Sequence, residues 1–204
     1  STVFHSDEAL SFSEAFYYSS GLYPHLDFFS HRLPLSTVIY GEWLALTNKT
    51  LESGRILSVI LSSCALSINA YVVMRVTDSA FIGLLSVLIF SNAVVLYLLS
   101  AFSIYPIVIF LFSCACLSLL SENYLRGRAL FLFFNSLIWM SRYLIDPQVV
   151  ILVVFYFIFL YQDKSNKNRI LYTLSAFIFP LLFISIGGDQ LFYATFTFNL
   201  EQIE

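Results

Sequence analysis

Apolar residues run through this chain in long blocks separated by short polar breaks, and the block lengths predict helices. The clearest block is Ile56 to Met74, long enough to cross a hydrocarbon layer and stopped by Arg75. From Ser79 to Leu120 the chain is apolar for about forty residues, twice the length of one crossing at roughly 1.5 Å per residue. Ser103-Ile104-Tyr105-Pro106 is the natural break, which makes two spans. Leu130 to Ile145 and Val149 to Tyr161 are each short of the usual ~20 residues and read as a tight hairpin of two helices. Ile170 to Ile186 is the last block, with its predicted end at Gly187-Gly188-Asp189.

The opening has a different rhythm. Ser6 to Tyr18 suits a short helix, with Ser6 as its cap, Asp7 and Glu8 at its positive end and Gly21 as its stop. Helical spacing puts Asp7, Ser11, Glu14 and Tyr18 on one face and Ala9, Phe12 and Phe16 on another, so the acids are expected to face water while the rings rest on membrane or protein. Leu22 to Pro34 is irregular, bracketed by Pro24 and Pro34. A second short helix starts at Leu35, and its Tyr40 and Trp43 are expected at the headgroup level. Asn48-Lys49-Thr50 closes this region and is formally a glycosylation sequon, a match that chance explains as well. The expected architecture is an all-α multi-pass membrane protein. Residues 1–55 form an external loop carrying short interfacial helices, 56–186 a transmembrane bundle of about six spans, and 187–204 the start of a further external loop.

Composition supports the membrane class: 59% of residues are hydrophobic, 18% aromatic and only 11% charged, and the mean hydropathy is +0.82. The net charge of -3 is small and scattered, which disfavours nucleic acid as a partner. Cys64, Cys114 and Cys116 sit in apolar runs and read as packing residues rather than ligands or disulfide partners. With no initiator Met and no signal-peptide pattern, the chain reads as a fragment of a longer protein. Basic residues cluster in two loops, Arg126 with Arg128, and Lys164 with Lys167 and Arg169, and the positive-inside rule assigns both to the cytoplasm. The opening loop, Tyr105, the turn from Arg142 to Asp146 and the tail from Gly187 then lie on the other side. Arg32, Lys49 and Arg55 run against the rule, which is weak in long loops.

Candidate chemistry gathers in the opening. An acid pair, the chain's three histidines and Arg32 lie within about thirty residues. Moving a group from a phosphate to an alcohol or amine needs a base for the acceptor's proton and a cation for the leaving phosphate. Asp7, partly desolvated by Phe12 and Phe16, suits the first task, and a planar guanidinium suits the second. Plainer roles stand beside these. Asp7 and Glu8 also complement a helix N-terminus, Arg32 also serves as an interfacial arginine, and Arg142 also pairs with Asp146 four residues on, where Pro147 ends the helix. His25, Asp27 and His31 offer imidazole and carboxylate ligands, but an irregular loop gives no metal geometry, and hydrogen bonding within the loop is the simpler reading. Asp189 and Gln190 suit either an acceptor site or a turn.

Asp7-Glu8-Ala9 ahead of an aromatic-rich helix, then Pro24 and the run Asp27-Phe28-Phe29-Ser30-His31-Arg32-Leu33-Pro34-Leu35, followed by Gly54-Arg55-Ile56-Leu57, resembles the first external loop of membrane glycosyltransferases with the GT-C fold. The group most similar is the protein mannosyltransferase and aminoarabinose transferase-like superfamily, glycosyltransferase family 39. This chain departs from that pattern at Leu33, where the first of two prolines is usual, and at Arg32, where lysine is common. The resemblance covers the opening loop by motif and the spans only by pattern. It implies a GT-C-like helix bundle that transfers a sugar, with inversion, from a polyprenyl-phosphate donor to the hydroxyl or amine of a lipid, glycan or protein acceptor. The reaction would take place on the non-cytoplasmic face of a bacterial-type plasma membrane. By the same resemblance Asp7 is the general base with Glu8 its catalytic neighbour, and Arg32 holds the donor phosphate; Arg142, a charge near the end of an apolar segment that is costly unless it reaches water or a partner, is expected to join it there. His25, Asp27, His31, Tyr105, Asp146 and Asp189 are candidate substrate contacts, and no metal or other cofactor is indicated. The alternatives are a multi-pass transporter or flippase of lipid-linked sugars, which would carry ionisable groups near the bilayer midplane, and a membrane scaffold without chemistry.

Overall fold

The computed structural model describes residues 6–28, 30, 32–90, 100–141 and 147–192, without the side chains of 6, 7, 90, 147, 148, 183, 184 and 186–192. Its regular elements are all helices: α1 (Ser6–Ser19), α2 (Leu35–Leu46), α3 (Leu51–Thr77), α4 (Ala80–Phe90), α5 (Tyr105–Ser118), α6 (Tyr124–Met140), α7 (Pro147–Gln162) and α8 (Asn166–Phe192). The only bridge among the described residues joins Pro24 to Phe28 inside the irregular loop. Helix α1 begins on Ser6 and ends before Gly21, whose φ of +92° lies in the region that glycine enters without a Cβ clash.

Neighbours in sequence are mostly neighbours in space. Helix α3 packs on α4 and α5, α5 on α6, and α6 on both α7 and α8, while α1 lies on α2, and α2 rests on α3 and α6. Two cores result. One lies under the opening, around Tyr40, Leu44, Phe102, Ile107 and Ile138; the other joins α6, α7 and α8 around Phe131, Leu132, Leu152, Phe159 and Tyr172.

Helix α3 is the one helix among the described residues that is long and apolar enough to cross a membrane, with 27 residues and a mean hydropathy of 2.0 in its most apolar stretch. Thr50 caps it by accepting from the Ser53 N–H at 3.2 Å. Its surface is inverted relative to a helix in water. Ser53, Gly54, Ser58, Ser62 and Ala65 face inward, whereas Ile56, Val59 and Ile60 face out. Small inward residues let α5 approach closely. Cys64 continues the outward face and is exposed, which corrects its reading as a packing residue; Cys114 and Cys116 are half-buried, and all three are free thiols. Ala80–Ile89, Tyr105–Ser118 and Val149–Gln162 are shorter apolar helices.

Three further expectations need correction. Helix α8 does not stop at Gly187-Gly188-Asp189 but runs to Phe192, since glycine inside a helix costs only about 1 kcal/mol relative to alanine. Tyr40 is not at a headgroup surface; it is 2% exposed, stacked 4.2 Å from the Phe102 ring centre, because α2 is sandwiched between α1 and the rest of the bundle. The acids of α1 do not face water either: Glu8 is 1% and Glu14 4% exposed. The polar face read from the sequence turns inward because partners from distant parts of the chain meet it there.

Candidate functional site

Those partners form a polar seam beneath α1. Glu8 accepts two parallel bonds from Arg55, from Nε at 2.7 Å and Nη2 at 2.8 Å, and a third from the Phe102 N–H at 3.0 Å. A bidentate guanidinium pair of this kind is among the stronger charge-assisted contacts. It ties the first turn of α1 to the first turn of α3 and to the segment before α5. Phe102 reaches that position only because residue 54 is glycine: a Cβ there would lie 1.7 Å from the Phe102 ring. The adjacent Tyr40 hydroxyl donates to the Ser103 carbonyl at 2.9 Å and shares a 2.7 Å bond with Ser58.

Nearly two turns further along α1, Glu14 accepts from Ser30 Oγ at 3.0 Å and from Thr37 Oγ1 at 3.2 Å. Burial pushes its carboxyl pKa up, and this outweighs the opposing effects of Ser30, the Arg32 charge and Thr37. Arg32 is also buried, and its Nη1 donates to Ser11 Oγ at 2.7 Å. Together with Ser36, Tyr40 and Ser103 these groups line a narrow cleft that leaves no room for a water molecule. Ser36 reaches the Ser141 carbonyl across 3.5 Å, which brings the end of α6 to the same place.

The loop between α1 and α2 is held by its own polar groups. Asp27 is exposed and accepts the Tyr23 N–H at 2.8 Å, closing a turn. His25 has a φ of +64° and is buried, with Nε2 3.0 Å from the Arg32 carbonyl, so Nε2 carries the proton and donates. Burial lowers its pKa, and this outweighs the opposing effect of the Arg32 carbonyl. Tyr105 opens α5 and is 39% exposed.

Of the residues singled out from the sequence, Glu8, Arg32 and His25 therefore belong to the seam, Asp27 stands at its edge, and Tyr105 begins the helix just beyond Ser103. Asp7 lies in the first turn of α1 and Asp189 in α8, but their side chains are outside the described residues, as are His31, Arg142 and Asp146 entirely. Sequence reasoning missed Ser11, Glu14, Ser30 and Thr37 as a buried set and Arg55 as the partner of Glu8. One signal was present: Ser11 and Glu14 share the helical face of Asp7, and Ser30, Ser36 and Thr37 flank Arg32 and Pro34. Among the described residues no three His, Cys, Asp or Glu side chains are placed to hold a metal ion.

Chemically, Glu8 is saturated and orients the helix that carries Asp7, while Glu14 and Arg32 put a carboxyl whose pKa burial raises and a fixed cation in one cleft. No family model, curated protein or solved structure matches this chain.

Proposed function

We propose that this chain carries the catalytic loop of a multi-pass membrane glycosyltransferase that uses a polyprenyl-phosphate sugar and has the GT-C type of helix bundle. The observation that supports this most is the convergence of the opening loop, Phe102-Ser103 and Ser141 at one end of an apolar bundle. The outward apolar face of α3 supports a lipid setting, with the remaining apolar helices as further spans. The basic loops at 122–128 and 163–169 then lie in the cytoplasm and the opening loop on the other side.

In this reading Asp7 takes the proton from an acceptor hydroxyl or amine. The freed lone pair attacks the anomeric carbon, the bond from that carbon to the phosphate oxygen breaks, and the phosphate leaves with the electron pair. A single displacement inverts the anomeric centre. Arg32 and Arg142 neutralise the departing phosphate, and Glu8, fixed by Arg55, is a positioning residue for Asp7. Arg32 is turned inward, so the donor has to part α1 from α2 to reach it.

The test is sugar transfer from polyprenyl-phosphate donors by the full-length protein in nanodiscs, wild type against Asp7→Asn at matched folding. Loss of the base lowers turnover about 10²-fold or more while the donor still binds. Equal turnover removes Asp7 from the mechanism, and no transfer from any donor in a panel overturns the enzyme reading. The tightness of the seam favours one second reading, a non-catalytic membrane subunit whose opening loop is a structural cap; that reading requires wild type itself to transfer nothing.

A further inference from the structure

The other end of α6 holds a cavity that sugar transfer does not use. Arg128 lies twelve residues before Met140, about 18 Å along the helix from the end that meets the seam. A cavity of about 300 Å³ opens beside it, walled on its apolar side by Leu119, Phe155, Ile158 and Phe159. Arg128 is only 5% exposed. Its guanidinium lies 3.5 Å from the Tyr124 ring centre and 4.8 Å from that of Phe159, and Nη2 donates to the neutral amide oxygen of Gln162. Among the described residues no carboxylate comes within ion-pair distance of it. Asp163 lies beyond ion-pair distance but close enough to feel the Arg128 charge through the shared neighbour Tyr172, and its own oxygens are taken by the Ser165 N–H at 3.0 Å, Asn168 at 2.8 Å and Tyr172 at 3.3 Å.

A cation so far withdrawn from water is costly unless an anion reaches it, and five fixed donors on one guanidinium suit a phosphate. The surroundings add to that attraction: Arg126, Lys164, Lys167 and Arg169 are exposed around this end, against the acids Glu122 and Asp163. A small soluble anion would use the charge but leave the apolar wall bare. We propose that this cavity binds the phosphate of an anionic lipid, with the phosphate on Arg128 and the first methylenes of its chains against Phe155 and Ile158. A lipid headgroup and a free anion share the phosphate group, and the proposal is independent of the glycosyltransferase reading.

The experiment titrates phosphatidylglycerol, phosphatidylcholine and inorganic phosphate separately against the full chain in nonionic detergent, with binding read by native mass spectrometry. Phosphatidylglycerol is expected to bind about tenfold tighter than phosphatidylcholine. Arg128→Gln should abolish that preference. Ile158→Trp, which narrows the cavity from its exposed wall and leaves the charge in place, should weaken phosphatidylglycerol about tenfold and serves as the test if Arg128→Gln fails to fold. Inorganic phosphate that displaces phosphatidylglycerol at equal concentration would replace the lipid with a free anion and overturn the proposal. Equal binding of the two lipids, or unchanged binding in a folded variant, would overturn it as well.

Discussion

Breaking the contact between Glu8 and Arg55 from its two sides should give unequal costs. In Glu8→Gln the amide oxygen still accepts the Phe102 N–H, and the main loss is the charge-assisted bonds from Arg55. Such bonds contribute about 1.5–3 kcal/mol, but the Arg55 side chain is 32% exposed, so water recovers part of the loss and the net cost is about 2 kcal/mol. Arg55→Leu instead removes the charge partner of a carboxylate that is 1% exposed, which costs about 3–5 kcal/mol at pH 8. Because both changes remove one interaction, the double variant should be less damaged than the sum by about 2 kcal/mol. Equilibrium unfolding in mixed micelles reads these values, and amide exchange at Phe102 reads whether α1 has lifted. If Arg55→Leu costs less than Glu8→Gln at pH 8, or the two effects add within about 0.5 kcal/mol, then the bidentate pair does not hold α1 to the bundle.

Gly54→Ala should destabilise by about 1–3 kcal/mol, because the added Cβ meets the Phe102 ring at 1.7 Å, and Phe102→Leu in the same chain should return part of the loss in the same unfolding assay. Glu14 gives a pH signature. Its pKa is raised above 4.5 in the folded state, so the native protein holds more protons than the unfolded chain; the stability it contributes is present below about 4.5 and is lost as pH rises through the folded value. Glu14→Gln should therefore gain on wild type as pH rises, and a melting-temperature difference that stays constant from pH 4 to 8 would contradict this.

Local signals in the sequence proved sound where the cause was local. The bounds of α1, the irregular stretch from Leu22 to Pro34 and the break before Pro106 all follow from backbone chemistry within a few residues. The separation of α6 from α7 follows in the same way from Pro147. The direction of a face was not legible in this way. Periodicity places Ser11 and Glu14 together, but whether that side meets water depends on Ser30, Arg32 and Thr37, 16 to 23 residues away, and the burial of Glu8 depends on Arg55 and Phe102, 47 and 94 residues away. Tyr40 misled for the same reason: an aromatic with a hydroxyl suits a headgroup layer and a buried bond to Ser103 equally well. The site was half legible, since Glu8 and Arg32 were singled out as chemistry but not as a closed seam with Ser11, Ser30 and Thr37.

The seam also sets a schedule. Its bonds join Glu8 to Phe102, Tyr40 to Ser103 and Ser36 to Ser141, sequence separations of 94, 63 and 105 residues. During synthesis at about 5–20 residues per second, α1 waits roughly 5–20 seconds before Phe102 has even been made, and Ser141 follows some seconds later. Throughout that interval Glu8 lacks the Phe102 N–H, although Arg55 is made about halfway through it and Glu14 already has Ser30 and Thr37 within reach. The opening is thus the first part of this region to be made and the last to be fastened, and a ribosome that pauses before Phe102 prolongs the period in which the loop is unlatched.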